Sequence, residues 1–281
     1  MGPKIWISVD MEGMGGLVDR TQFIPDEPAY TRARAQMIAE MRTVVEAVWD
    51  AGAGRVVVND SHDGQLNLAY DSLVGLPSRT ELISGMGKRF AMAEGMRGMD
   101  LALLVGYHGR SGTSHAIMDH TDSKDVWSVS VNDIDVGEFG LNAYLAGHYG
   151  MPVGLAAGDA ALAHEVEALL PDTLCVVTKT AVGRRAARVI HPAQVRDELW
   201  EAARRAVLHF ADGLGPRPLP VTTPIILRVS FMTTEGADAA MLYPGSARVD
   251  GRSVAVRCND MEHAYLASRT LFLMGTGFPL Y

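Results

Sequence analysis

The chain has 281 residues, of which 48% are hydrophobic, and 33 acidic residues outnumber 25 basic ones to give a formal net charge of -8. This composition excludes a disordered or fibrous protein, and the lack of any Lys or Arg run speaks against a nucleic-acid partner. The two cysteines, Cys175 and Cys258, are too few for a disulfide framework and indicate a reducing compartment. Without a signal-peptide pattern or a long apolar span, the sequence predicts a cytoplasmic protein with no membrane partner.

The first half of the chain has the pattern of an α/β fold. Four unbroken apolar runs predict strands buried on both faces of a largely parallel sheet flanked by helices. A segment with helical periodicity separates the first two runs, which is typical of a βαβ unit. The strands are expected at 4–9, 55–58, 101–106 and 152–157, and the helix at 30–51.

The remaining elements mix hairpins with helices. A turn at Asn132-Asp133 joins two short strands, and a helix begins directly after them, so that Glu138 opens it. The expected elements are strands at 127–131 and 134–136, helices at 138–149 and 160–170, a strand at 174–179, a helix at 192–210, a strand at 225–231, a hairpin at 247–259 and a helix at 261–274.

A connector rich in proline and glycine occupies residues 212–223. It predicts an α/β metal-binding catalytic region at 1–211 and a smaller mixed α+β region at 212–281. A single compact unit is the alternative organisation.

Side chains that bind metal ions follow three of the predicted strands. Asp10 and Glu12 follow the first, Asp60 and His62 stand at the end of the second, and His108 follows the third. In open α/β sheets, ligand sites form outside the carboxyl ends of the strands. Carboxylates and imidazoles together suit zinc, and a shared carboxylate is what a binuclear hydrolytic site requires. Glu138, at the opening of its helix, would supply a further carboxylate.

Each of these residues has an ordinary structural explanation when taken alone. Asp10 could cap a turn, Glu12 could be an exposed loop acid, and His108 could be a hydrogen-bonded core histidine. Their joint placement at several strand ends favours a metal site instead. The glycine-rich stretch at 10–16 lacks the spacing of a phosphate-binding loop.

Residues 109–120 form a small, polar segment that predicts a mobile loop of the active site. The loop carries His115 and His120, and either could act as general acid or base or stabilise an oxyanion. Arg110 could bind substrate or form a structural pair.

Four motifs together resemble the D-aminopeptidase family of the bacterial dipeptide-transport operon. They are Ser-Val-Asp-Met-Glu-Gly at 8–13, Val-Asn-Asp-Ser-His at 58–62, Gly-Tyr-His at 106–108 and Val-Gly-Glu-Phe-Gly-Leu-Asn-Ala-Tyr at 136–144. The resemblance extends over nearly the whole chain, including Ala-Gly-Asp at 157–159 and Lys-Thr at 179–180.

The resemblance implies two zinc ions per subunit, both bound by Asp10. Glu12 would complete the first site, and His62, His108 and Glu138 would bind the second. It also implies that His120 is the catalytic residue, as acid, base or nucleophile, although Asp119 stands where the family has serine and the loop is one residue longer. The family further implies a homodecamer of two stacked pentameric rings whose active sites face an inner channel.

The expected activity is hydrolysis of short peptides with an N-terminal D-amino acid, such as D-Ala-D-Ala, by water activated at a binuclear zinc site. Asp60 or the zinc ions would recognise the free amine of the substrate. The alternatives are another binuclear metallohydrolase, acting on amides or phosphate esters, and a metal-dependent ring protein that binds peptides without cleaving them.

Overall fold

The computed structural model describes residues 2–278, which contain twelve strands and six α-helices. The strands are β1 (Lys4–Val9), β2 (Arg55–Asp60), β3 (Thr80–Ile83), β4 (Leu101–Tyr107), β5 (Val126–Val131), β6 (Ile134–Val136), β7 (Val153–Asp159), β8 (Leu174–Gly183), β9 (Ala186–Val189), β10 (Ile225–Phe231), β11 (Ser246–Arg248) and β12 (Ser253–Cys258). The helices are α1 (Pro28–Asp50), α2 (Glu138–His148), α3 (Ala160–Leu169), α4 (Pro192–Ala211), α5 (Thr234–Ala240) and α6 (Met261–Gly275).

The larger sheet has the strand order β3-β2-β1-β4-β7-β8-β9, and every neighbouring pair except β8–β9 is parallel. Strand β1 shows why these strands are apolar throughout. Ile5 and Ile7 face the core beneath α1 and α4, whereas Trp6 faces the core shared with α2, α3 and the second sheet. Because side chains alternate between the two faces and both faces are covered, every position of β1 after Lys4 is buried.

The second sheet is antiparallel and has the order β11-β12-β10-β5-β6. Its central pairing joins β5, from the first half of the chain, to β10, which follows residue 212. Strands from both sides of the predicted boundary therefore share one sheet. The division at residue 212 stays a prediction, and this pairing leads us to propose the single compact unit.

The predicted α/β class with a mostly parallel sheet is confirmed, together with the mixed character of the C-terminal part. Strands β3 and β9 and helix α5 were not predicted from the sequence. Two of these are four-residue strands and one is a seven-residue helix, too short for a hydrophobic period to show. Within residues 2–278, no helix is both long and apolar enough to cross a membrane.

Candidate metal centre

The strand order brings the predicted donor residues to one edge of the larger sheet. Strand β1 lies between β2 and β4, and Val9 pairs with Asp60 on one side and with Val105 on the other. The residues that follow these strand ends, including Asp10 and His108, therefore meet at the carboxyl edge. The proximity expected from the sequence is what the structure shows.

The donor atoms form two groups that share Asp10. In the first group, His62 Nδ1 lies 2.8 Å from Glu12 Oε2 and 3.4 Å from Asp10 Oδ1. In the second, His108 Nε2 lies 3.2 Å from Glu138 Oε2, and it is 3.6 Å from the other Asp10 oxygen. All five side chains are buried. Asp10 thus offers one carboxylate oxygen to each group.

This geometry places His62 beside Asp10 and Glu12, whereas the family resemblance assigned it to the ion bound by His108 and Glu138. The ligand atoms of Asp10, Glu12 and His62 lie within 4.8 Å of one another. The partition of ligands between two ions stays a prediction.

Burial and the neighbouring charges shift the pKa values of the side chains in the two donor groups. Burial raises the pKa of Asp10 to about 7, and the Glu12 carboxylate beside it adds to the rise. Burial opposes the charge on Glu12 as well, but the facing His62 holds the pKa of Glu12 well below its usual value. Although burial opposes protonation, Glu12 raises the pKa of His62 well above its usual value, and Glu138 does the same for His108. These opposing pKa shifts show that the buried carboxylates favour a positive charge between them, and a bound cation would supply that charge in place of protons.

The residues present fit a zinc centre on three observations. Asp10 Oδ2 and His108 Nε2, which lie 3.6 Å apart, are buried and have no hydrogen-bond partner among the described residues. His108 Nδ1 lies 3.0 Å from the carbonyl oxygen of Gly109, which can only accept, so Nδ1 carries the proton and Nε2 presents its lone pair. Mixed imidazole and carboxylate donors are a set that zinc accepts.

Glu138 reaches the site from the first turn of α2, as the sequence predicted. Its Oε1 accepts a 2.7 Å hydrogen bond from the backbone N–H of Asp122. Asp122 has a φ of 63° and its carboxylate pairs with Arg269 of α6. The C-terminal helix therefore supports this carboxylate indirectly.

Lys179 is a supporting residue whose role the sequence reading missed. It lies on β8 with its side chain fully buried, and Nζ donates hydrogen bonds to the carbonyl oxygens of Glu12, Met14 and Leu17. Burial lowers the pKa of Lys179 to about 8. The signal in the sequence was a lysine at the end of the mostly apolar strand predicted at 174–179. A lysine buried there needs several hydrogen-bond acceptors around its ammonium group. Lys179 fastens the loop that carries Glu12.

Asp60 does not face the site as a free carboxylate. Its Oδ1 accepts from the Asn67 side chain at 3.0 Å, and its Oδ2 accepts from the Leu68 backbone N–H at 2.7 Å. Both oxygens are used to hold the segment that follows His62. These contacts favour a role for Asp60 in shaping the loop, and its binding of the substrate amine stays a prediction.

A cavity of about 620 Å³ opens next to the donor groups. His120 lies on its wall and stacks on His108 with ring centroids 4.2 Å apart. Its Nε2 is 3.9 Å from Glu12 Oε1 and 3.8 Å from Glu138 Oε1. His115 is exposed and is not part of the lining. The lining consists of Glu12, Arg20, Phe23, Ile24, Pro25, His62, Asp63, Met118, His120, Asp122, Ser123, Lys124, Arg184 and Arg185.

The contacts that hold the loop carrying His120 include two that lie on either side of His115. Asp159 accepts from the backbone N–H groups of Gly109 at 3.1 Å and Ile117 at 2.9 Å. Further along, Asp119 pairs with Arg184 at 2.6 Å. The segment that the sequence predicted to be mobile is therefore well connected to the sheet on both sides of His115.

Replacing Asp159 with alanine is expected to lower the free energy of unfolding by about 3 kcal/mol, since buried N–H groups lose their acceptor. The carboxylate also caps α3 through the Leu162 N–H, and losing a cap adds to the effect. Thermal unfolding of Asp159→Ala, with the exposed Asp172→Ala as control, measures this. Equal melting temperatures for the two variants would contradict the assignment.

The fold and the donor groups define the class of a metal-dependent hydrolase, with carboxylates and imidazoles gathered at the carboxyl edge of a parallel sheet beneath a cavity. The family model for D-aminopeptidases of peptidase family M55 matches residues 3–270. The chain therefore belongs to this family, as its motifs indicated, and its enzyme class is metallo-aminopeptidase.

Two relatives extend the comparison to individual proteins. The chain is 36% identical over 269 residues to a D-aminopeptidase of Bacillus subtilis (strain 168), with 94% of each chain covered. Among solved structures it resembles the zinc-dependent D-aminopeptidase DppA from Bacillus subtilis, described as a self-compartmentalizing protease. That match has a TM-score of 0.92 and 33% identity, and covers 99% of this chain and 100% of the other.

Proposed function

We propose that this protein hydrolyses short peptides with an N-terminal D-amino acid, D-Ala-D-Ala among them, using two zinc ions per subunit. The observation that carries the proposal is the Asp10 carboxylate, whose two oxygens face two separate donor groups at 3.4 and 3.6 Å. A carboxylate shared in this way suits a pair of ions that it bridges. Membership of the D-aminopeptidase family supports the substrate class.

The ligands of the proposed ions are Asp10, Glu12, His62, His108 and Glu138. Zinc supplies two functions when bound at such a site, since it lowers the pKa of coordinated water and polarises a carbonyl group. The chain's own contribution is to keep these donors buried and fixed by backbone and side-chain contacts, which include those of Lys179 and Asp122.

His120 is the residue that we propose to move a proton. Its Nδ1 lies 2.8 Å from the carbonyl oxygen of Met118, so Nδ1 carries the proton in the neutral ring and Nε2 is left as the base. Nε2 is directed between Glu12 and Glu138, and the side chain is 22% exposed. A partly exposed histidine on the cavity wall can accept a proton there and deliver it to the leaving amine.

For the free amine of the substrate, we propose a carboxylate of the cavity lining as the partner in preference to Asp60 or the zinc ions. Asp63 lines the cavity directly after His62. Asp122 also lines it but is paired with Arg269, whereas Asp63 forms no ion pair among residues 2–278. Asp63 is therefore the carboxylate that we propose for amine recognition.

The proposed assembly is a homodecamer of two pentameric rings. The solved relative is described as self-compartmentalizing, which supports an enclosed oligomer. Large apolar side chains are exposed on one stretch of this chain, including Tyr70 at 87% and Met86 at 75%. Apolar exposure of this kind is typical of a surface that is covered in an assembly. The cytoplasmic location stays a prediction.

The direct test is hydrolysis of D-Ala-D-Ala and L-Ala-L-Ala by the purified protein before chelation, after chelation and after zinc is restored. We expect cleavage of the D-peptide only, lost on chelation and regained with zinc. Zinc-loaded protein that cleaves neither peptide would contradict the proposal. Assays on amides, phosphate esters and peptide binding would then distinguish another metallohydrolase from a ring protein that only binds peptides.

A further inference from the structure

Four basic side chains line the same cavity as the donor groups, although the chain as a whole is acidic. Arg20 begins a short 3-10 helix, Lys124 lies in the loop before β5, and Arg184 and Arg185 form the turn between β8 and β9. Three segments that are distant in sequence thus bring positive charge to one cavity. Chance placement of surface lysines and arginines does not account for this concentration as simply as a ligand does.

Most of this charge is not neutralised by the protein. Arg184 pairs with Asp119, but within residues 2–278 Arg20, Lys124 and Arg185 form no ion pair. Of the three acidic residues that line the cavity, Glu12 belongs to the donor group, Asp122 is paired with Arg269, and Asp63 is the proposed partner of the substrate amine. The three basic side chains are therefore available to an anionic group of a molecule in the cavity.

We propose that Arg20, Lys124 and Arg185 form a subsite for the C-terminal carboxylate of the peptide substrate. The inference rests on the proposed function, and it adds that the enzyme selects short peptides with a free carboxyl end. A short unblocked peptide carries one negative charge at the end away from its amine, and guanidinium groups bind carboxylates through paired N–H donors. A cavity of about 620 Å³ is of the size that encloses a small ligand.

The subsite and two of the proposed metal-binding residues share one cavity, as the two ends of a short peptide require. The proposed metal-binding residues Glu12 and His62 line this cavity, and in the proposed function the peptide bond next to the substrate amine is cleaved beside them. The carboxyl end of a dipeptide lies one residue further along. Amidation of that end removes the charge that the subsite recognises and leaves the scissile bond unchanged.

The test compares D-Ala-D-Ala with D-Ala-D-alaninamide on the zinc-loaded enzyme. The double variant Arg20→Gln/Arg185→Gln removes two of the three charges, and Arg184 is kept because it supports Asp119 beside His120. The matched control is Arg188→Gln, an exposed arginine on β9 outside the cavity lining. Dissociation constants of both peptides, measured by calorimetry in a His120→Ala background, provide a second readout without turnover.

The wild type and Arg188→Gln are expected to cleave the acid with a kcat/KM about 10- to 100-fold above that of the amide, because each charge-assisted hydrogen bond contributes substantially. In the double variant the ratio of kcat/KM for the acid to that for the amide falls to near unity, because only activity on the acid is lost. The dissociation constant of the acid rises to near that of the amide. Equal cleavage of acid and amide by the wild type would overturn the subsite and leave the D-aminopeptidase proposal intact. If neither peptide is cleaved, the function fails, and equal binding of acid and amide would then overturn the subsite as well.

Discussion

Replacement of His120 by alanine is expected to lower kcat on D-Ala-D-Ala by about 100- to 10,000-fold, the range associated with a lost general acid or base. The reason is the position of Nε2, which faces Glu12 and Glu138 from the cavity wall at 3.9 and 3.8 Å. Zinc content should remain normal, because the five buried donors are untouched. Steady-state kinetics and metal analysis on the same preparation measure both quantities.

The matched control is His115→Ala, which removes an exposed histidine of the same loop outside the cavity lining. It should keep nearly full activity. The ligand atoms of His120, His108 and Glu138 lie within 4.8 Å of one another, so a role as metal ligand predicts a different result. Loss of zinc together with activity in His120→Ala would assign the residue to the metal site rather than to proton transfer.

Lys179→Met is expected to weaken zinc binding by about 10- to 100-fold, the effect typical of removing a residue that orients metal ligands. Without Nζ, the carbonyl oxygens of Glu12, Met14 and Leu17 lose their shared donor, and the loop that presents the Glu12 carboxylate is no longer fastened to β8. Competition with a chromophoric chelator measures the zinc affinity.

The same substitution should lower the free energy of unfolding by about 2–4 kcal/mol, since unpaired buried acceptors are destabilising. This loss of unfolding free energy is smaller than the sum expected for three buried carbonyl groups that each lose a donor. Burial that lowers the pKa of Lys179 to about 8 also opposes the charged form, and removing the charge returns part of that energy. The control is Lys4→Met on β1, where the lysine side chain is half-exposed. Unchanged zinc affinity in Lys179→Met would show that the lysine stabilises the fold without positioning the ligands.

Local patterns in the sequence were sufficient to predict the α/β class and most of the helices and strands. The unbroken apolar run of β1 indicated a strand covered on both faces, because a half-exposed strand would alternate with polar residues. Asp10, His62 and His108 could be singled out because each follows such a run, and parallel strands end at one edge of the sheet. Glu138 was placed at the start of α2 by the hairpin turn before it.

The tertiary structure decided which groups meet within ångströms, because those contacts join residues far apart in the chain. The sequence did not indicate that β1 would lie between β2 and β4, which gives each oxygen of Asp10 its own donor group. Lys179 reaches the carbonyl of Met14 across 165 positions. The basic side chains of the cavity likewise come from three separate segments of the chain. Hydrophobic periodicity reports the burial of a single element, whereas the pairing of elements depends on packing of the whole chain.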